Sequence, residues 1–336
     1  MTLIGYDNLG DTYDEATRDQ RGWSGGGATV VRTAGRVSGY GMELSGNTGI
    51  TPDILAKNLA LGTEFTRHIA VQTVSANGSD LHLMSFLEGA TSHVEVYLSG
   101  TTRFLRIKRN GTTVVTGTHA LTVGTWHQIV IHIKVGDAAT GQVHTWVDEV
   151  ADISDTTSDF KNGGTGVIDN FTLRGAFGNK VRYDDMHDWS GNDNKGNSRV
   201  LGRVAMADGF HADWTPLSGT DHFAMVDDNP PDEDTTYVYS DTTANRDSYQ
   251  CQPLGIPAGA TIMAVGVTAI TRKLDVGSRS LAPFIRTGGT DFDGSTVSPS
   301  FDWNAQQAFW ELNPDTVAAW TVAEVDATEA GILDDT

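Results

Sequence analysis

The sequence predicts an all-β chain, folded as two β-sandwiches in series. Three observations carry that expectation. Segment after segment alternates apolar with polar residues at period two, the mark of strands with one buried face. The acidic residues are 33 Asp against only 10 Glu, and Asp favours turns where Glu favours helices. Glycine supplies 38 of the 336 residues, far more than a helical bundle or coiled coil tolerates.

Taken in order, HIAVQTVS from His68, LHLMSFLE from Leu81, HVEVYLSG from His93 and FLRIKR from Phe104 each read as a strand. Before them, PDILAKNLAL from Pro52 is the one helical candidate of the first half, with Thr51 as cap and proline at the first position. Asn110-Gly111 between FLRIKR and TTVVTG predicts a hairpin, because a type I′ turn needs positive φ at both central residues. A second hairpin joins GTWHQIVIHIKV to GQVHTWVDEV. Its aliphatic face holds Ile129, Ile131, Ile133 and Val135, and its other face carries Trp126, His132, His144 and Trp146.

A boundary is expected within DWSGNDNKGNSR, Asp188 to Arg199, where Gly, Asn and Ser cluster with almost no apolar residue. This predicts domains over residues 1–192 and 193–336, with proteolysis at 190–200. The later half contributes TTYVYSD, RDSYQC, TIMAVGVTAITRK and SLAPFIRTGG as strands, then short helical turns in PDTVAAW and TVAEVDATEAG, with LDDT frayed at the end.

The formal net charge is −20, and residues 197–336 alone hold 7 basic against 21 acidic side chains. Such a surface repels phosphate, which excludes nucleic acid and anionic membrane as main partners. No run of 18 apolar residues predicts a membrane span. The opening MTLIGYDNLG lacks the basic and apolar regions of a secretory signal. Cys251 is the single cysteine, so neither an intrachain disulfide nor a Cys-rich zinc site is available.

No pattern here points to catalysis. A retaining glycosidase needs two carboxylates about 5–5.5 Å apart, yet Glu88 and Glu95 fall on separate strands and Asp148 and Glu149 on opposite faces. Gly22-Trp23-Ser24-Gly25-Gly26 is not a nucleophile elbow, and His127 and His132 point to opposite faces of one strand. The expectation is therefore a non-enzymatic protein without a cofactor. Calcium is the one ion to weigh, with hard oxygen donors at Asp227, Asp228, Asp232, Glu233 and Asp234, at Asp291 and Asp293, and at Asp188, Asn192, Asp193 and Asn194. None of these runs has the spacing of an EF-hand loop, so solvated turns are the expectation. For Trp126, His132, His144 and Trp146 two readings stand open: a groove where rings stack on sugar, or a packing or subunit surface.

The second hairpin, followed by IDNFTLRGAFGNKVRYDDMHDW, resembles the closing strands of laminin G-like, concanavalin A-like jelly rolls. Gly124, Trp126, His127, Gly141, Val147, Asp148 and Asp184-Asp185 carry the resemblance, over roughly residues 1–190. The turn glycine of that family is Glu149 here, and no lectin calcium site transfers. WTPLSGTDHFAMVDDNPPDEDTTYV from Trp214, RDSY from Arg246 and NPDTVAAWTVAEVDATEAGI from Asn313 look like a module of tailed-phage structural proteins. The tandem implies a jelly roll followed by a smaller β-sandwich in a virion protein of the head surface or tail. The implied partners are other virion proteins, copies of itself in a homo-oligomer, and host-surface glycans; the acidic charge itself predicts self-association that strengthens with salt as repulsion is screened. A glycan-binding fibre protein is the competing expectation, and a glycan hydrolase a weaker one.

Overall fold

The computed structural model describes residues 2–7, 23–24, 29–36, 40–45, 54–75, 78–175, 179–257 and 259–336. Its contacts form two compact units that meet in the chain after Leu201. The architecture is all-β, as the alternation predicts, and every ladder is antiparallel.

In the first unit an eight-stranded sheet runs β13 (Val150–Asp155), β12 (Gln142–Val147), β11 (Trp126–Lys134), β6 (Glu64–Thr73), β15 (Lys180–Ser190), β4 (Tyr40–Ser45) and β3 (Thr29–Ala34), with β1 (Leu3–Asp7) also on β15. A seven-stranded sheet runs β10 (Thr112–Ala120), β9 (Phe104–Arg109), β8 (Thr91–Leu98), β7 (Leu81–Glu88), β14 (Ile168–Arg174), β5 (Ile54–Gly62) and β2 (Trp23–Ser24). Between them lies one apolar core, to which the first sheet brings Phe65, Ile69, Ile129, Ile131 and Ile133 and the second Phe86, Val94, Ile107 and Phe171. The three isoleucines of β11 are fully buried, each contributing roughly 1.5–3 kcal/mol by leaving water.

Both predicted hairpins form. Arg109 pairs with Thr112 across Asn110 (φ 46°) and Gly111 (φ 77°), the type I′ geometry expected of Asn-Gly. In the other, His132 lies opposite His144 and Val130 opposite Trp146. The turn from β12 to β13 also holds two left-handed residues, Asp148 (φ 49°) and Glu149 (φ 69°), where glycine is usual. Their side chains tie the turn down. Asp148 accepts from Gln128 N at 2.9 Å and from His127 Nδ1 at 2.6 Å, and Glu149 accepts from Asn197 N at 3.2 Å.

The helix expected over PDILAKNLAL is corrected. Pro52 and Asp53 lie outside the described residues, and Ile54 to Gly62 is strand β5 between β14 and β2. Leu61 is buried and Leu59 packs on the core while Ala60 is exposed, a period of two that tertiary pairing favours over a short helix.

Residues 188–199 are corrected too. Asp188 is the buried partner of Arg67 within the sandwich, and the residues after it hydrogen-bond into the first unit up to Val200. The contact boundary therefore falls beyond the 192–193 expected from composition, and an unanchored protease site at 190–200 is not what the structure shows.

In the second unit a five-stranded sheet runs β16 (Ala205–Ala212), β19 (Arg246–Cys251), β24 (Glu329–Asp334), β21 (Leu281–Thr287) and β22 (Thr290–Asp293). Two ribbons accompany it: β17 (Thr215–Pro216) with β18 (Val238–Tyr239), and β20 (Val265–Thr271) with β23 (Asn304–Trp310). Val267, Ile285, Trp320 and Val325 form the core between the β20–β23 ribbon and the sheet. Of the two expected helical segments, only α1 (Val322–Ala327) is a helix, closed by a Thr321–Glu324 capping box. The expectation of a frayed LDDT is corrected, because Leu333 and Asp334 belong to β24, the central strand of the sheet.

Gly331 sits at the middle of that strand, and a Cβ there would stand 2.4 Å from the Phe284 ring and 2.5 Å from Asp247 O. Gly331→Ala is expected to destabilise the second unit by about 1–3 kcal/mol through overpacking. A melting temperature unchanged from the parent would contradict that account.

Candidate functional site

On a strand, alternate residues share a face, so Trp126, Gln128, Val130, His132 and Lys134 of β11 all point away from the core. His132 and His144 stack with centroids 5.4 Å apart and planes at 15°. Trp146 continues the row, 6.2 Å from His144. Glu64 anchors the end of the row, with Oε1 3.2 Å from His132 Nε2 and Oε2 3.6 Å from Lys134 Nζ. Burial pushes the pKa of His132 down, and the hydrogen bond to Glu64 opposes it. His144 Nδ1 lies 3.1 Å from Ser154 Oγ. His132 is fully buried, whereas His144 and Trp146 remain half-buried. Three of the four expected residues thus form one row. Trp126 stands apart, its indole lying against β4, where a Cβ on Gly41 would be 3.3 Å from the ring.

The centre of this outer face is closed. Thr66, His68, Ala70, Gln128 and Val130 are all buried, and residues 191–200 supply the cover. Thr66 Oγ1 donates to Gly191 O at 2.6 Å and accepts from Asp193 N at 2.9 Å. Further along, Asn197 N reaches Glu149, and Val200 N donates to Asp185 Oδ1 at 2.9 Å. Arg36 ties the far side, donating to Gln128, Asp185, Asn197 and the Ser198 carbonyl, while its backbone N–H donates to Asp184. A bulge in β15 between Asp184 and His187 brings both aspartates towards this one arginine. Asp185, largely desolvated, has its pKa pushed up.

Beneath this strap lies a chain of polar contacts, and one residue fixes the direction of its first two hydrogen bonds. Trp189 Nε1 is only ever a donor, and it donates to His187 Nδ1 at 2.8 Å. His187 must then carry its proton on Nε2, which donates to Ser198 Oγ at 2.7 Å. The Ser198 hydroxyl then lies 3.3 Å from His68 Nδ1 and 3.5 Å from Gly196 O, while His68 Nε2 lies 3.1 Å from Asp193 O and 3.3 Å from the backbone N–H of Lys195. Both imidazoles are neutral in this arrangement, and they stack at 4.5 Å. Burial lowers both of their pKa values. No sequence signal could have joined His68 to His187, since the link runs through the bulge of β15 and the strap.

The remaining candidates are engaged elsewhere. Glu88 accepts from Thr165 N, Thr165 Oγ1, Gly166 N and His93, which holds its pKa at about 2, so it latches a loop as an anion. Glu95 accepts from Gly111 N in the Asn-Gly turn. Among the acids weighed for calcium, Asp228 and Asp232 accept from Thr236, Asp234 pairs with Arg272, Asp291 with Arg286 and His211, Asp293 with Arg246, and Asp193 with Lys195. Among the described residues no three His, Cys, Asp or Glu side chains gather as a metal site. Sequence reasoning missed the buried His222–Asp247–Tyr249 group, in which Asp247 lies 2.9 Å from His222 Nδ1 and accepts from Tyr249 OH at 2.7 Å.

No protein-family profile matches the chain, and no curated protein does. Among solved structures it is similar to an endo-β-1,4-glucuronan lyase from the fungus Trichoderma reesei, at 14% identity and a TM-score of 0.43, over 57% of this chain and 96% of that one. It is similar to a carbohydrate esterase from a Shiga toxin-encoding bacteriophage, at 15% identity and a TM-score of 0.40, over 56% of this chain and 100% of that one. A carbohydrate-binding module from Bacillus subtilis matches at 13% identity and a TM-score of 0.35, over 51% and 98%. By their descriptions all three bind or process carbohydrate. Identities and scores this low transfer no activity to this chain.

Proposed function

We propose that the protein is a non-catalytic, carbohydrate-binding structural component of a tailed-phage virion, with the glycan held against His144 and Trp146. The observation that carries the reading is the His132–His144–Trp146 row, buried at His132 and partly exposed at His144 and Trp146, beside a strapped, filled face. Aromatic faces offer an apolar platform for the C–H side of a sugar ring, and imidazole edges offer polar contacts beside it. Because the strap fills the middle of the face, the ligand is a short, end-bound saccharide rather than a polymer laid across the whole sheet. The virion setting rests on the tandem resemblance of the two units to phage structural proteins. A role in assembly is the second reading, favoured by the strap, which shows this face packing against protein.

Titration of intrinsic tryptophan fluorescence with short oligosaccharides tests the glycan site. Saturable binding is expected in the parent, weakened at least tenfold in Trp146→Ala. Equal affinity in the two proteins would remove the site from this row, and turnover of a polysaccharide by the pure protein would overturn the non-catalytic reading.

A further inference from the structure

We infer that the second unit carries a carbohydrate site of its own, formed by Tyr237, Tyr239 and Trp303 with Asp234 and Arg272. Tyr237 is held by its carbonyl, which accepts from Leu217 N at 2.9 Å in the β17–β18 ribbon. Its ring centroid stands 6.3 Å from that of Tyr239 and 6.4 Å from that of Trp303, so three aromatic rings adjoin. They belong to the surface rather than the core. Tyr239 is 50% exposed, and Tyr237 and Trp303 are partly exposed. The apolar core of this unit is built from other residues, Trp320 and Ile285 among them.

Polar groups fix the cluster and border it. Trp303 Nε1 donates to Asp234 Oδ1 at 3.3 Å, and the Arg272 guanidinium lies 4.8 Å from the indole centroid while pairing with that same carboxylate. The Asp234 side chain still keeps 62% of its surface in water, so the carboxylate edge not taken by Trp303 and Arg272 is open to a ligand.

Rings with a planar carboxylate and a planar guanidinium beside them suit a pyranose. The rings take its C–H face, and the two planar groups accept from and donate to neighbouring hydroxyls. The Asp234–Arg272 pair is neutral as a whole, and the unit around it is strongly acidic, so the class of ligand is a neutral saccharide. Phosphate and sialic or uronic acids meet repulsion here. This site stands independently of the one on β11 and β12.

The test uses the full chain carrying Trp146→Ala, which removes the site on the first unit from the signal. Maltohexaose, cellohexaose, xylohexaose and chitohexaose are titrated calorimetrically against it, with glucuronate and sialyllactose as anionic controls. Binding of at least one neutral hexaose is expected, weakened tenfold or more by added Tyr239→Ala and by Trp303→Ala. Tyr239 is half exposed, so its truncation leaves the melting temperature in place even where loss of Trp303 lowers it. The proposal is overturned if folded Tyr239→Ala protein binds as before, if no neutral hexaose binds, or if the anionic sugars bind better. It is equally overturned if Tyr239→Ala abolishes only self-association in sedimentation, because the rings are then an interface between copies. Failure of the first-unit site shows separately, as a parent whose isotherm Trp146→Ala leaves unchanged.

Discussion

Arg67→Met is expected to destabilise the first unit by about 3–5 kcal/mol, the loss that follows when one partner of a buried ion pair is removed. Arg67 and Asp188 are both fully buried, joined by two parallel hydrogen bonds of 2.8 Å. The guanidinium also lies 3.6 Å from the Phe171 centroid and 5.0 Å from that of Phe86, so it bridges the two sheets through their π-faces. Methionine fills much of the volume but strands the Asp188 carboxylate in an apolar core. The double variant Arg67→Met, Asp188→Leu removes both charges and is expected to recover most of the loss, since a buried pair is often no better than well-packed hydrophobes. Urea unfolding of the two variants beside the parent measures this. A single variant within 1 kcal/mol of the parent would mean that water reaches Asp188.

That ion pair shows where sequence reasoning ends. Arg67 adjoins the apolar alternation of β6, and Asp188 sits among Gly, Asn and Ser, so composition reads the second as a linker acid. What joins them is register: β6 and β15 pair with Arg67 opposite Asp188, and both side chains turn inward. Register is set by long-range packing, which a single sequence does not display. The hairpins were legible because their signals are local: Asn110-Gly111 for one, the isoleucine alternation for the other. The segment from Pro52 failed for the opposite reason. Its helical signals were local and weak, and pairing on both sides outweighed them.

The site was legible in the same measure. Alternation along β11 and β12 put His132, His144 and Trp146 on one face, and the hairpin register made them a row. It could not tell that Trp126 would turn to Gly41, nor that residues 191–200 would fold back over the face. Both outcomes depend on contacts between segments far apart in the chain. The Tyr237, Tyr239 and Trp303 cluster was invisible for that reason too, since its members lie at the starts of β18 and β23, more than sixty positions apart.

Acidification from pH 6.5 to 4.5 is expected to destabilise the first unit and release its strap. His68, His82, His132 and His187 all have pKa values lowered by burial. His82, buried against Tyr97 at 4.1 Å and near Arg174 and Lys108, falls to about 3. The unfolded chain takes up a proton at each site near pH 6.5, while the folded chain resists. Stability is therefore full above pH 6.5 and is lost as the pH falls, by about 1.4 kcal/mol per pH unit for each histidine until its folded pKa is reached. Carboxylates held low, such as Glu43 and Glu88, lose their contribution only at still lower pH. Asp185, whose pKa is raised, acts the other way, but it is one group against four. Within the strap, a second proton on His187 removes the acceptor for Trp189, and a second proton on His68 removes the ring nitrogen that accepts from the strap, from Ser198 Oγ or from Lys195 N. The expected record is a melting temperature flat from pH 8 to 6.5 that then falls, with His82→Gln flattening the slope. Hydrogen exchange at Asp193 to Ser198, corrected for the intrinsic rate, should lose protection over the same interval. A melting temperature equal at pH 7.5 and 5.0 would show that the four imidazoles are not held neutral by burial, and the strap would then owe nothing to His68 and His187.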